Sequence, residues 1–131
     1  MKKRGHGVIL LMGSDQSLVG KGRSSVYGLT KGAIGQLTKS AAIDYAPHGI
    51  RVNCLCAGTT DTPLLHGAIE RYHRLSGIPT AEIREGLDTA QPIPRVATPE
   101  EIAKVAVFLL SEESSYITGA LIAADGGYTA Q

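Results

Sequence analysis

The sequence predicts an α/β fold: three parallel strands with two main helices, arranged as part of a doubly wound sheet. Three observations carry this. Short apolar runs stand at Val8–Met12, Ile50–Cys56 and Ala120–Ala124. Stretches of helical period, about 24–45 and 98–110, separate them. A strand, a helix of about twenty residues and a further strand form the right-handed crossover that joins parallel neighbours.

Val8–Met12 is ended by Gly13 and Ser14 and reads as a strand buried on both faces. A polar loop to about Ser24 follows. Its Gly20-Lys21-Gly22 lacks the earlier Gly and the following Ser or Thr of a phosphate loop, so no phosphate cradle is expected there. From Ser24 to Tyr45 the pattern is helical, with Val26, Ala33, Leu37 and Ala41 as the apolar face. Gly28, Gly32, Ala33 and Gly35 suit close approach to the sheet or to a second helix, since Gly otherwise costs helix propensity. Pro47 and Gly49 end this helix.

Ile50–Cys56 is the next strand, with Cys54 and Cys56 on one face. Without a second cysteine pair they read as buried thiols rather than a metal half-site. The 64–94 segment suggests two short helices, over LLHGAIERYHRLSG and AEIREGLDT, interrupted by Gly67, Gly77, Pro79, Pro92 and Pro94. A long broken segment of this kind suits a lid or binding loop. Its His66, Arg71, His73, Arg74 and Arg84 either meet a polar substrate or coat a solvated face, the latter being the plainer reading. His66 and His73 share a helix face at i,i+7, but no third metal ligand stands beside them. Thr98-Pro99-Glu100-Glu101 is a helix start: Thr caps, Pro takes the first position, and Glu101 completes a capping box. Ile102, Val105, Ala106, Leu109 and Leu110 form that helix's apolar face. Ala120–Ala124 is the third strand, closed by Asp125-Gly126-Gly127.

The 131 residues suffice for one domain with a modest core. A net charge of +1 gives no electrostatic footprint for nucleic acid or a membrane surface. No apolar run approaches a membrane span. The basic start MKKRGHG is followed only by Val8–Met12, too short for a secretory leader. Cys54 and Cys56 cannot bridge distant parts of the chain, which fits a reducing compartment, and a cytoplasmic location is expected.

The chemistry concentrates in Ser14–Lys31. Tyr27 and Lys31 lie four apart, one helical turn, and so leave the same face. An ammonium beside a phenol favours the phenolate, so a proton normally lost near pH ~10 becomes available closer to neutrality. A Tyr so placed can act as general acid or base toward an alcohol or carbonyl. Ser14, thirteen residues before Tyr27 at a strand end, can hold the same substrate oxygen. Tyr-x-x-x-Lys alone is common and is usually a solvated pair; the Ser at a strand end with a Gly-bearing turn between makes the set specific.

With that spacing the chain resembles the short-chain dehydrogenase/reductase family, whose catalytic pattern is Ser, twelve residues, Tyr, three residues, Lys. The resemblance runs from about Gly7 to Tyr128. It includes the Thr-Gly before the last strand, the Asp-Gly-Gly after it, and a segment at Ala57-Gly58-Thr59-Thr60-Asp61-Thr62 similar to the family's Pro-Gly loop, with Ala57 in place of Pro. It implies an NAD- or NADP-dependent oxidoreductase that interconverts a secondary alcohol and a ketone. In that reading Ser14, Tyr27 and Lys31 are catalytic, and Tyr27, Lys31, Ala57, Gly58, Thr60 and Thr62 meet the nicotinamide end of the cofactor. It also implies dimers or tetramers of this chain and a small-molecule alcohol or ketone as substrate; the residues themselves offer no motif for a metal. Only the second half of the family's Rossmann-type domain is matched. A Gly-rich turn between strand and helix, which would hold the pyrophosphate, is not found in these residues. Residues 1–131 are therefore expected to be a single partial domain, either the catalytic half of such an enzyme or a catalytically silent fragment or interface module.

Overall fold

The structure, a computed structural model, describes residues 1–131. Strands β1 (Gly7–Met12), β2 (Ile50–Ala57) and β3 (Leu121–Ala124) form one parallel sheet in the order β1-β2-β3. Gly7 through Met12 pair with Ile50 through Leu55, and Cys54 through Ala57 pair with Leu121 through Ala124. Four helices accompany the sheet: α1 (Ser25–Tyr45), α2 (Pro63–Ser76), α3 (Thr80–Asp88) and α4 (Pro99–Leu110). The two short helices expected within 64–94 are α2 and α3.

β2 lies at the centre and carries the core; Val52, Asn53, Cys54, Leu55 and Cys56 are fully buried. Side chains alternate across a strand. Ile50 and Val52 pack against Ala42 of α1, while Arg51, on the opposite face, donates to the carbonyls of Leu109 and Ser111 at the end of α4. α1 and α4 thus cover opposite faces. β1 differs from expectation: it is half-buried along its length and Met12 is 49% exposed. It is bonded to β2 alone, so part of its apolar surface lacks a neighbour.

The face of α1 also differs. The sheet receives Gly35, Thr38 and Ala42, with Ala41 half-buried; Val26 and Leu37 point outward at 76% and 56% exposure. A side chain at Gly35 would come within 2.9 Å of Leu121 Cδ2, so this glycine lets α1 approach β3. Gly32 meets nothing and Gly28 only the side-chain oxygen of Gln16, so close approach explains one of the three glycines.

Two polar residues, the buried Asn53 and the exposed Thr118, join β2 to the segment before β3. Asn53 Nδ2 donates to Ile117 O at 2.8 Å and its Oδ1 accepts from Ala120 N at 3.1 Å. Thr118 Oγ1 accepts from Val52 N at 3.0 Å. Each satisfies a backbone group that burial would otherwise leave unpaired. At α4 the capping box is present as expected, with Pro99 in the first turn. Arg95 pairs with Glu101 at 2.7 Å; with the Thr98 backbone N–H it holds the Glu101 carboxyl down at about 2.

Candidate functional site

β1, β2 and β3 end together, and the loops leaving their carboxyl ends share one edge of the sheet, where open α/β sheets bind ligands. Ser14 follows β1 and caps a 3-10 turn, Asp15–Ser17. Ser17 Oγ ties that turn to α1 by donating to Lys31 O at 2.8 Å. Tyr27 stands in the first turns of α1 at 47% exposure. Lys31 leaves the same face one turn on, its Nζ 5.6 Å from the centroid of the Tyr27 ring, and donates to Met12 O at 3.0 Å.

A cleft of about 240 Å³ brings Ser14 and Tyr27 together with Ala57 and Gly58. Gly13, Asp15, Gln16, Lys21 and Thr59 complete its wall, which is mostly polar. Four sequence-predicted residues therefore line one space, with Lys31 behind Tyr27. Thr60 and Thr62 do not line it. The Thr60 hydroxyl donates to Gly58 O at 3.1 Å. The Thr62 hydroxyl caps α2, accepting from Leu65 N at 3.3 Å.

Gly58 is required where it stands. A Cβ there would lie 2.7 Å from Asp125 Cα, a backbone atom that cannot swing aside. Asp125 in turn organises the closing turn. Burial alone would raise its carboxyl. The Thr129 hydroxyl and the N–H groups of Thr129 and Gly127 outweigh that and hold it below the ordinary range. Gly126 and Gly127 take φ of 65° and 86°, which the turn needs glycine to adopt.

Beneath Ser14 lie Cys54 and Cys56, buried and free, their sulfurs 3.8 Å apart. Their mutual hydrogen bond lowers the Cys54 thiol to about 7 and raises that of Cys56. In the 64–94 segment the basic side chains, for which a solvated face is the plainer expectation, are mostly engaged or exposed. Asp61 accepts from His66 Nε2 at 2.6 Å and pairs with Arg84 at 3.3 Å; these two partners hold its carboxyl below the usual range. Arg84 also reaches Asp88, and His73 Nδ1 meets Ile78 O at 2.7 Å. Arg71 and Arg74 are solvated.

Sequence reasoning missed an ion pair inside the cleft. Lys21 Nζ lies 2.7 Å from Asp15 Oδ2 and 4.0 Å over the ring of Tyr128. Asp15 is 2% exposed. Its only sequence signal is an acid beside Ser14 with a Lys six residues on, and nothing local says the two turn inward.

A family model described as enoyl-(acyl carrier protein) reductase matches residues 1–129. The chain is 42% identical over 130 residues to a cis-4-hydroxycyclohexanecarboxylate dehydrogenase of Sinomonas cyclohexanicum, covering 99% of this chain and 48% of that protein. A solved short chain dehydrogenase family protein of Francisella tularensis has 47% identity and a TM-score of 0.91 over 95% of this chain and 51% of its own. The structure of ElxO with NADP bound aligns with 32% identity and a TM-score of 0.85 over the whole chain and 50% of its own. The chain thus spans about half the length of the relatives it matches. No helix is long and apolar enough to cross a membrane.

Proposed function

Because this chain belongs to the short-chain dehydrogenase/reductase family, we propose that it carries the catalytic centre of an NAD- or NADP-dependent oxidoreductase interconverting a secondary alcohol and a ketone. The observation that carries this reading is the convergence of Ser14 and Tyr27 in one cleft at the carboxyl edge of the sheet, with Lys31 one turn behind. In the oxidation direction Tyr27 takes the hydroxyl proton; in reduction it returns one. Lys31 places its ammonium one helical turn from the phenol, 5.6 Å from the ring centroid. Ser14 holds the substrate oxygen. The cofactor, when bound, accepts or supplies the hydride.

The residues present fit the nicotinamide end of such a cofactor. Tyr27 is accessible, Ala57 and Gly58 edge the same cleft, and Lys31 is within one turn. Thr60 and Thr62 would contribute through their backbone, since their hydroxyls are engaged. A pyrophosphate cradle is another matter. β1 runs into a 3-10 turn and β2 into a helix capped by Thr62, and neither junction is Gly-rich.

Lys31→Ala should lower turnover and weaken dinucleotide binding together, because one ammonium serves both. Turnover and cofactor Kd, measured in an enzyme that combines this chain with a dinucleotide-binding half, check it. If both are unchanged, Lys31 has neither role.

A second reading has its own support in the chain's spanning half of its relatives. Taken by itself, the 131-residue chain is catalytically silent and serves as an interface module. α1 suits that role: Val26, Leu29, Leu37 and Ile43 form an outward apolar stripe, which also supports a homodimer or homotetramer of the enzyme. Titration of the isolated chain with NADH and NADPH, beside sedimentation equilibrium, should show no micromolar binding and self-association. A monomer that binds either nucleotide at micromolar concentration would refute both parts.

A further inference from the structure

We propose that Gln16 is a specificity-determining residue that selects secondary alcohols carrying a second hydroxyl beside the reacting one, as small diols and polyols do. The proposal rests on the alcohol–ketone reading above and names its substrate class. Gln16 lines the cleft with Ser14 and Tyr27. Its backbone N–H donates to Ser14 Oγ at 3.2 Å, but its side chain bonds nothing in the protein. Gln16 Oε1 is the only buried side-chain oxygen or nitrogen in the chain without a hydrogen-bond partner. Buried polar atoms are ordinarily paired, so an orphan on a residue of the cleft wall marks a place for a ligand group. The atom lies against the start of α1, 3.5 Å from where a Cβ on Gly28 would stand. No hydrogen bond holds the amide there, so turning it into the cleft breaks none.

The rest of the wall narrows what that ligand group is. The reacting oxygen goes to Ser14 and Tyr27. Asp15 and Lys21 are joined to each other at 2.7 Å, and their charges cancel. The lining therefore offers no net charge to a carboxylate, and Gln16 and Thr59 remain for a neutral polar group. A hydroxyl donates one proton and accepts on its lone pairs; an amide accepts on its oxygen and donates from its nitrogen, so the two match. At about 240 Å³ the cleft suits a small molecule whose two hydroxyls lie close together. In the oxidation a hydride leaves one carbinol carbon for the cofactor, and the proton on its oxygen passes to Tyr27. The second hydroxyl stays intact against Gln16, and the product is a hydroxyketone.

Isopropanol, propylene glycol and lactate test this. They share one carbon skeleton and one secondary carbinol, which bears a methyl, a hydroxymethyl or a carboxylate. On the cofactor-loaded enzyme, kcat/KM for propylene glycol should exceed that for isopropanol by about tenfold, the scale of one hydrogen bond made to an otherwise unpaired group. The product should be hydroxyacetone. Gln16→Met keeps the length of the side chain and removes the amide, and the ratio should fall to within about twofold of unity. A merely structural role for Gln16 would lower both rates and leave their ratio where it was. A folded Gln16→Met enzyme that keeps the ratio would therefore overturn the proposal. Equal kcat/KM on isopropanol and propylene glycol in the unaltered enzyme, or a preference for lactate over both, would overturn it without any variant. An enzyme that oxidises isopropanol without preferring the diol leaves the alcohol–ketone reading standing and removes only the role of Gln16. One that oxidises no secondary alcohol removes both.

Discussion

Tyr27→Phe lowers turnover of a secondary alcohol by about 10²–10⁴-fold, the usual contribution of a positioned general acid or base. Only one oxygen is lost. The ring keeps its place in the first turns of α1 and its 5.6 Å approach to the Lys31 ammonium. At 47% exposure, loss of the hydroxyl removes little buried surface. The fold should therefore be intact by circular dichroism while the rate collapses, and cofactor affinity should change far less than turnover. A Phe variant within about tenfold of the unaltered enzyme would remove Tyr27 from the chemistry, since even a modest general acid–base contribution exceeds that.

Gly58→Ala destabilises the protein by roughly 1–3 kcal/mol, the ordinary penalty for overpacking a fixed site. The added methyl would lie 2.7 Å from Asp125 Cα and 3.3 Å from its carbonyl carbon. Neither is the free end of a side chain. The Asp125 turn resists displacement because its carboxylate accepts from Gly127 N, Thr129 N and the Thr129 hydroxyl. The loop after β2 must give way instead, although Gly58 N donates to Ala124 O at 3.0 Å. Thermal unfolding should show a midpoint lower by several degrees, and turnover should fall with it because Gly58 edges the cleft. An unchanged midpoint would show that the loop and the Asp125 turn are not packed as described.

Much of this was legible in the sequence because it depends on local signals. The three apolar runs became three parallel strands, and Thr98-Pro99-Glu100-Glu101 became a capped helix start. The same signal stands at Thr62-Pro63, where Thr62 caps α2 and Pro63 takes the first turn. The face of α1 was misjudged because the helix carries two stripes. The more apolar one faces outward, and the one with small residues meets the sheet, where space rather than hydrophobicity decides. β1 looked buried on both faces because a continuous apolar run does not say how many neighbours a strand has. The Asp15–Lys21 pair and the Asn53 bridge depend on loops that fold back over the sheet, and neither has a period to read.

The reaction itself is tested most directly by tracing the hydride. A secondary alcohol bearing deuterium on its carbinol carbon is oxidised with NAD or NADP by the enzyme that contains these residues, and the reduced cofactor is examined by proton NMR. Deuterium on the nicotinamide ring, in amount equal to the ketone formed and lost in Tyr27→Phe, is the expected result. Ketone formed without deuterium on the nicotinamide, or no oxidation of any secondary alcohol by the cofactor-loaded enzyme, would contradict the assignment of Ser14, Tyr27 and Lys31 to alcohol–ketone hydride transfer.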